Sequence, residues 1–184
     1  VPSILLNDTI VVDNHLSVRL TSQQWTEGTY PTDSSWNGAK LMGGGHVQLI
    51  QVIEGAELLL QGMELSGAHV KGNGAAVYVS GGSLTAESCY FHSNLATGAP
   101  ARGGAIAAIP SSEYVTEVNL HRSLFLDNSA NGVGALYTET DSEGGALSVS
   151  MDSSSTSGQV FVNITSSTFE NNSVKFITIR IPHI

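Results

Sequence analysis

One pattern constrains this chain more than any other. An apolar residue, a polar one and a second apolar one are followed, after a short gap, by another such alternation, then Asn, then a small residue. The pattern occurs three times, beginning at Leu84, Val118 and Val162, and more weakly at Leu58, where Ala68 stands in place of Asn. Two places on stand Leu60, Ala86, Leu120 and Ile164, and five places on Met63, Cys89, Ser123 and Ser167. Seven places on stand Leu65, Phe91, Phe125 and Phe169. Ten places on stand Ala68, Asn94, Asn128 and Asn172, and twelve on Val70, Ala96, Ala130 and Val174. Alternation of apolar and polar residues is the period of a β-strand. Each copy therefore reads as strand, two-residue corner, strand.

The copies start 26, 34 and 44 residues apart (58 to 84, 84 to 118, 118 to 162). A fixed core with variable spacers is what stacked coils produce when loops grow at one corner. Coils stacked as parallel strands lie roughly 4.8 Å apart, so equivalent side chains sit above one another. Phe91, Phe125 and Phe169 are expected to form an internal aromatic stack. Asn94, Asn128 and Asn172 are expected to form a ladder whose amides bond to backbone and to the next Asn. Such a ladder stabilises only if every buried amide is satisfied. A second recurring element is Gly-Gly-Ala-aliphatic, at Gly103-Gly104-Ala105-Ile106 and Gly144-Gly145-Ala146-Leu147. These turn glycines suit a corner with positive φ and close backbone approach.

Together, Phe91-His92-Ser93-Asn94, Phe125-Leu126-Asp127-Asn128, Phe169-Glu170-Asn171-Asn172 and the two Gly-Gly-Ala segments resemble a known repeat. They are similar to the FxxN and GGA[ILV] repeats of the chlamydial polymorphic outer membrane proteins and related adhesin-like autotransporter passengers. The resemblance spans about residues 65 to 174. It implies an all-β, right-handed parallel β-helix (a solenoid), here of about six or seven coils. It also implies an extracellular or cell-surface location.

Three regions are expected. Residues 1–45 supply N-terminal strands and a capping loop, residues 46–174 the β-helix repeat, and residues 175–184 an apolar C-terminal strand. Strands are expected over Thr9 to Asp13 and at Leu16 to Leu20, and again over His46 to Ile53 and Ala56 to Leu60. Polar loops are expected at 21–45, 96–102, 110–113, 139–143 and 150–158. Both tryptophans, Trp25 and Trp36, fall in the first loop. They read as a cap folded over the first coil or as a platform for stacking a sugar ring. The last segment is apolar on both faces, with Phe176 on one and Ile177, Ile179 and Ile181 on the other. An edge strand of that kind either awaits a cover or pairs with a neighbouring module. Because the chain starts at Val1, a mature or trimmed chain is expected.

Composition narrows the chemistry. A net charge of −9, with seven Lys plus Arg, argues against nucleic acid and anionic membrane surfaces as partners. No run of residues has transmembrane length. Cys89, the only cysteine, falls at an inward offset and reads as a small buried hydrophobe. The six histidines lack H-x-H or H-E-x-x-H spacing, so no metal is expected, and no cofactor. Asn7, Asn163 and Asn171 open N-x-[ST] sequons, at a frequency this composition gives by chance. They are the candidate N-glycosylation acceptors.

A polysaccharide lyase or glycoside hydrolase on such a scaffold needs carboxylates gathered on one outer face. Projected on the repeat, Glu87, Glu64, Glu170 and Asp127 fall three, six, eight and nine places on, in different columns. No catalytic residue is assigned. The expected function is a structural, adhesin-like module, a filament subunit that self-associates or joins neighbouring β-helix modules through its ends. A carbohydrate-binding surface protein and the lyase or hydrolase are the alternatives.

Overall fold

The structure is a computed structural model of the 184-residue chain. It describes residues 2–23, 25–26, 31, 37–134, 142–149 and 158–178, with side chains described except at 99, 132–134, 142–143 and 175–178. Among the described residues the chain is all β, without helix. The first strands are β1 (Ser3–Leu5), β2 (Ile10–Val12), β3 (Ser17–Thr21), β4 (Ala39–Met42) and β5 (Ile50–Ile53). Next come β6 (Glu57–Gln61), β7 (Met63–Ser66), β8 (His69–Asn73) and β9 (Val77–Ser80). They are followed by β10 (Ser83–Glu87), β11 (Tyr90–His92), β12 (Leu95–Arg102) and β13 (Ile106–Ile109). The next cycle holds β14 (Thr116–His121), β15 (Leu124–Leu126), β16 (Ser129–Gly134), β17 (Ser142–Glu143) and β18 (Leu147–Val149). The last described strands are β19 (Val160–Thr165), β20 (Thr168–Glu170) and β21 (Ser173–Thr178).

These strands form four sheets, and every pairing is parallel. The first sheet runs β1-β4-β7-β11-β15-β20 and the second β3-β6-β10-β14-β19. In the third, β8, β12, β16 and β21 pair in turn, with β17 beside the end of β12. The fourth runs β2-β5-β9-β13-β18. From β6 onward the chain visits the second, first, third and fourth sheets in that order and then begins again.

The register equals the sequence alignment. Leu58 pairs with Leu84, Leu84 with Val118, and Val118 with Val162. Each apolar position is thereby stacked into a column. The longest column is Ile4, Leu41, Leu65, Phe91, Phe125 and Phe169. Its middle members are buried, and they join Leu84, Val118, Val77 and Ile106 in one core.

The corners are sharper than the two-residue bend expected from sequence. Four places into each copy one residue takes a left-handed conformation: Gly62 (φ 63°), Ser88 (51°), Arg122 (49°) and Ser166 (52°). Nine places in, Gly67, Ser93, Asp127 and Asn171 do the same, at φ 52–60°. One such residue turns the chain from one sheet into the next. In the Gly-Gly-Ala element the two glycines have different tasks. Gly103 has φ +63° and a Cβ there would strike the Ile106 carbonyl, while one on Gly104 would strike the Gly145 carbonyl and the Ser129 backbone. Gly144 and Gly145 repeat this against the Leu147 carbonyl and Ser173.

Three expected loops contain strands, the shortest being Ser142–Glu143 within 139–143, which pairs with Ala101 and Arg102. Within 21–45, Ala39–Met42 pairs with Met63–Ser66, and Leu41 enters the aromatic column. Four residues are too short for alternation to stand out. The expected loop at 96–102 is the body of β12, which pairs with β8 and β16. Its Ala-, Gly- and Pro-rich sequence hides the strand, and its register against β8 shifts between Thr97 and Arg102. Strands before residue 46 are the first layers of the same sheets that continue after it. No helix among the described residues is long and apolar enough to cross a membrane.

Candidate functional site

The inner columns fix where the outer side chains point. Phe91 and Phe125 stack with ring centroids 4.7 Å apart, and Phe125 and Phe169 at 4.6 Å. Asn94 Nδ2 donates to Asn128 Oδ1 at 2.9 Å, and Asn128 Nδ2 to Asn172 Oδ1 at 2.9 Å. The three amides also donate to the carbonyls of Leu65, Phe91 and Phe125. Each Oδ1 in turn accepts a backbone N–H one layer back, from Ala68, Asn94 and Asn128.

A second polar ladder runs five places into the repeat. Ser123 Oγ accepts from Cys89 N and Ser167 Oγ accepts from Ser123 N. Ser123 Oγ donates to the His121 carbonyl, Ser167 Oγ to that of Thr165, and Cys89 Sγ to that of Glu87. Cys89 is thus a rung of a hydroxyl ladder with sulfur in place of oxygen. Burial pushes its thiol up to about 12, although backbone N–H groups around it act in the opposite direction. A thiol held neutral in this way is a poor nucleophile.

The outer face of the second sheet carries three columns. Ser17, Glu57, Ser83, Glu117 and Phe161 form the first. Arg19, Leu59, Thr85, Asn119 and Asn163 form the second, and Thr21, Gln61, Glu87, His121 and Thr165 the third. Arg19 Nε donates to Gln61 Oε1 at 2.8 Å, and Gln61 Nε2 donates to Glu87 Oε2 at 2.6 Å. Ser17 Oγ donates to Glu57 Oε2 at 3.0 Å. An open groove of about 510 Å³ lies over this array. Glu57 and Glu117 stand one place before the first apolar residue of their copies, outside the repeat as aligned. The polar residue immediately before that position was the available signal.

A charged cluster lies on the first sheet. Glu64 is almost wholly buried and is held by Lys40 Nζ at 2.7 Å and by His92 Nε2 at 3.0 Å. His92 stacks on Tyr90 and its Nδ1 lies 3.2 Å from Ser93 Oγ. In sequence, Glu64 stood as an isolated outward carboxylate. Its partners come from β4 and β11, 24 and 28 residues away, on either side of β7. Among the described residues no group of three His, Cys, Asp or Glu side chains could hold a metal ion.

The remaining candidates are dispersed. Asn7, Asn163 and Asn171 are all exposed, Asn163 on the outer face of the second sheet and Asn171 at a left-handed corner. Trp25 is half-buried, its side chain lies against Gly62, and its indole Nε1 is enclosed without a hydrogen-bond partner. Phe176 and Ile177 belong to β21, opposite Gly132 and Val133. Trp36, Ile179 and Ile181 lie outside the described residues. No family model, no curated protein and no solved structure matches the chain.

Proposed function

We propose that the chain is a right-handed parallel β-helix, one coil per cycle of strands. In this reading it serves as an extracellular, adhesin-like structural module that associates end to end. One observation carries this reading. The inner columns are closed in the middle and open at both extremes: Ile4 is 57% exposed and Phe169 40% exposed, at opposite ends of one column. At the second extreme, Leu147, Ile164 and Phe169 border an open hollow of about 520 Å³. Among the described residues each sheet ends in a strand with a ladder neighbour on one side, an arrangement that templates further pairing. A head-to-tail contact between unlike ends propagates rather than closes, and so builds filaments. Hand and surface location rest on the resemblance of the FxxN and Gly-Gly-Ala repeats.

The test is sedimentation of the 184-residue chain over a concentration series, with electron microscopy of the same samples. Concentration-dependent association is expected. Phe169→Asp, and deletion of 175–184, should abolish it while the strand spectrum in circular dichroism is kept. A chain that stays monomeric at every concentration, or association that survives both changes, overturns the reading.

A further inference from the structure

We propose that the groove on the outer face of the second sheet binds a neutral linear oligosaccharide. This goes beyond end-to-end association and stands independently of it. The groove spans three adjacent strands, β3, β6 and β10, with Ser17, Arg19, Glu57, Thr85 and Glu87 along its walls and Leu59 on its floor. Neighbouring strands place equivalent side chains roughly 4.8 Å apart, and successive outward residues of one strand lie roughly 7 Å apart. The array therefore repeats in two directions, which suits a ligand built of repeating units.

The chemistry is that of a surface for hydroxyl groups. A sugar hydroxyl both donates and accepts, so it needs acceptors and donors side by side. Glu57 and Glu87 supply carboxylate acceptors, and Arg19 supplies donors. Ser83 and Thr85 are half-buried at outward positions, and their hydroxyls have no protein partner among the described residues. Gln61 is buried and bonded on both sides of its amide, to Arg19 and to Glu87, which fixes both charged groups before any ligand arrives. Leu59 is half-buried and offers an apolar patch to the C–H face of a ring.

Other ligand classes fit less well. Two carboxylates against one guanidinium repel an anionic chain. A metal ion lacks three suitable ligands among the described residues.

The experiment is a titration of the isotope-labelled 184-residue chain, followed by NMR. The probes are hexamers of β-1,4-glucan, β-1,3-glucan, α-1,4-glucan, chitin and β-1,4-mannan, with hexagalacturonate as the anionic contrast. At least one neutral hexamer should shift the amides of residues 57–59 and 83–87, and hexagalacturonate should not. Thr85→Val and Leu59→Lys should each weaken that binding about tenfold or more while leaving the melting temperature near that of the parent. If no neutral hexamer shifts those amides, the assignment falls. It falls equally if hexagalacturonate binds there better than every neutral hexamer, or if both variants bind as the parent does.

Discussion

The rings of Phe91 and Phe125 lie one above the other with centroids 4.7 Å apart and planes 1° from parallel. That spacing is the strand spacing of the sheet that carries them. The rings stack because their backbones pair in register, Phe91 opposite Phe125. Phe125 has a ring on both sides and is fully buried, whereas among the described residues Phe169 has a ring on one side only. Phe125→Ala should cost about 3–5 kcal/mol, as fully buried aromatic truncations do. Phe169→Ala should cost clearly less. Urea unfolding of the two variants measures both. Equal losses would contradict an open end at Phe169.

The Asn ladder gives a different kind of variant. Asn128→Leu removes the side-chain partners of the buried Asn94 N–H and of the Phe91 carbonyl. Each group stranded in this way costs roughly 1–3 kcal/mol, so a loss of about 3 kcal/mol is expected. Asn128→Asp is more informative because it depends on pH. An ionised carboxylate there would set oxygen against Asn172 Oδ1, where Nδ2 now donates. Only the protonated acid can donate at that place, so the folded-state pKa should lie above the unfolded value of about 3.9. The stabilising proton is then in place below that value and is lost as pH rises through the folded-state pKa. The melting temperature of Asn128→Asp relative to the parent should be highest in acid and fall towards neutrality. A pH-independent difference would place Asn128 outside the ladder.

These two ladders were legible in the sequence because a stacked register copies alignment into space. Aligning Leu58, Leu84, Val118 and Val162 already named which Phe stands over which and which Asn follows. What the alignment could not carry is anything that breaks the copy. β4 is too short to show alternation, and β12 is disguised by Ala, Gly and Pro. The Lys40–Glu64–His92 cluster joins Lys40 and Glu64 of one column to His92 of another, and Lys40 lies before the first aligned copy, so the alignment does not contain it. Glu57 and Glu117 fall one place before the first apolar residue of the repeat, outside its aligned columns.

Cys89 is the small buried hydrophobe its offset implies, and its thiol also makes a polar bond. Its thiol donates to the Glu87 carbonyl as Ser123 Oγ donates to that of His121. Cys89→Ser should therefore be tolerated within about 1 kcal/mol in denaturant unfolding near neutral pH, where the hydroxyl makes the same bond. The parent should resist labelling by a thiol reagent until it unfolds. In alkali the sign follows from the raised value. The neutral thiol is favoured in the folded state, so its contribution is complete below the unfolded pKa of 9.0 and is lost as pH rises towards about 12. The parent should lose stability over that interval and Cys89→Ser should lose less. Rapid labelling of the native protein would contradict the burial.

The corner four places into each copy makes the last prediction, because one backbone conformation is occupied by four different residues. Gly62, Ser88, Arg122 and Ser166 all have positive φ. For a residue with a Cβ that conformation costs roughly 1–2 kcal/mol, and glycine avoids the cost while losing some entropy on folding. Arg122→Gly should therefore be neutral or stabilising by up to about 1 kcal/mol. Gly62→Ala, at the equivalent corner, should be destabilising by more than the conformational cost. Its new Cβ would lie 2.6 Å from Trp25 Cβ and 2.7 Å from Trp25 Cδ1, so the indole has to move. Thermal unfolding of both variants, with tryptophan fluorescence as the readout, separates the two effects. The Arg122→Gly midpoint should hold or rise with the emission unchanged. The Gly62→Ala midpoint should fall, and its native-state emission should shift as Trp25 leaves its place. An unshifted emission with an unchanged midpoint would show that Trp25 does not pack on this corner.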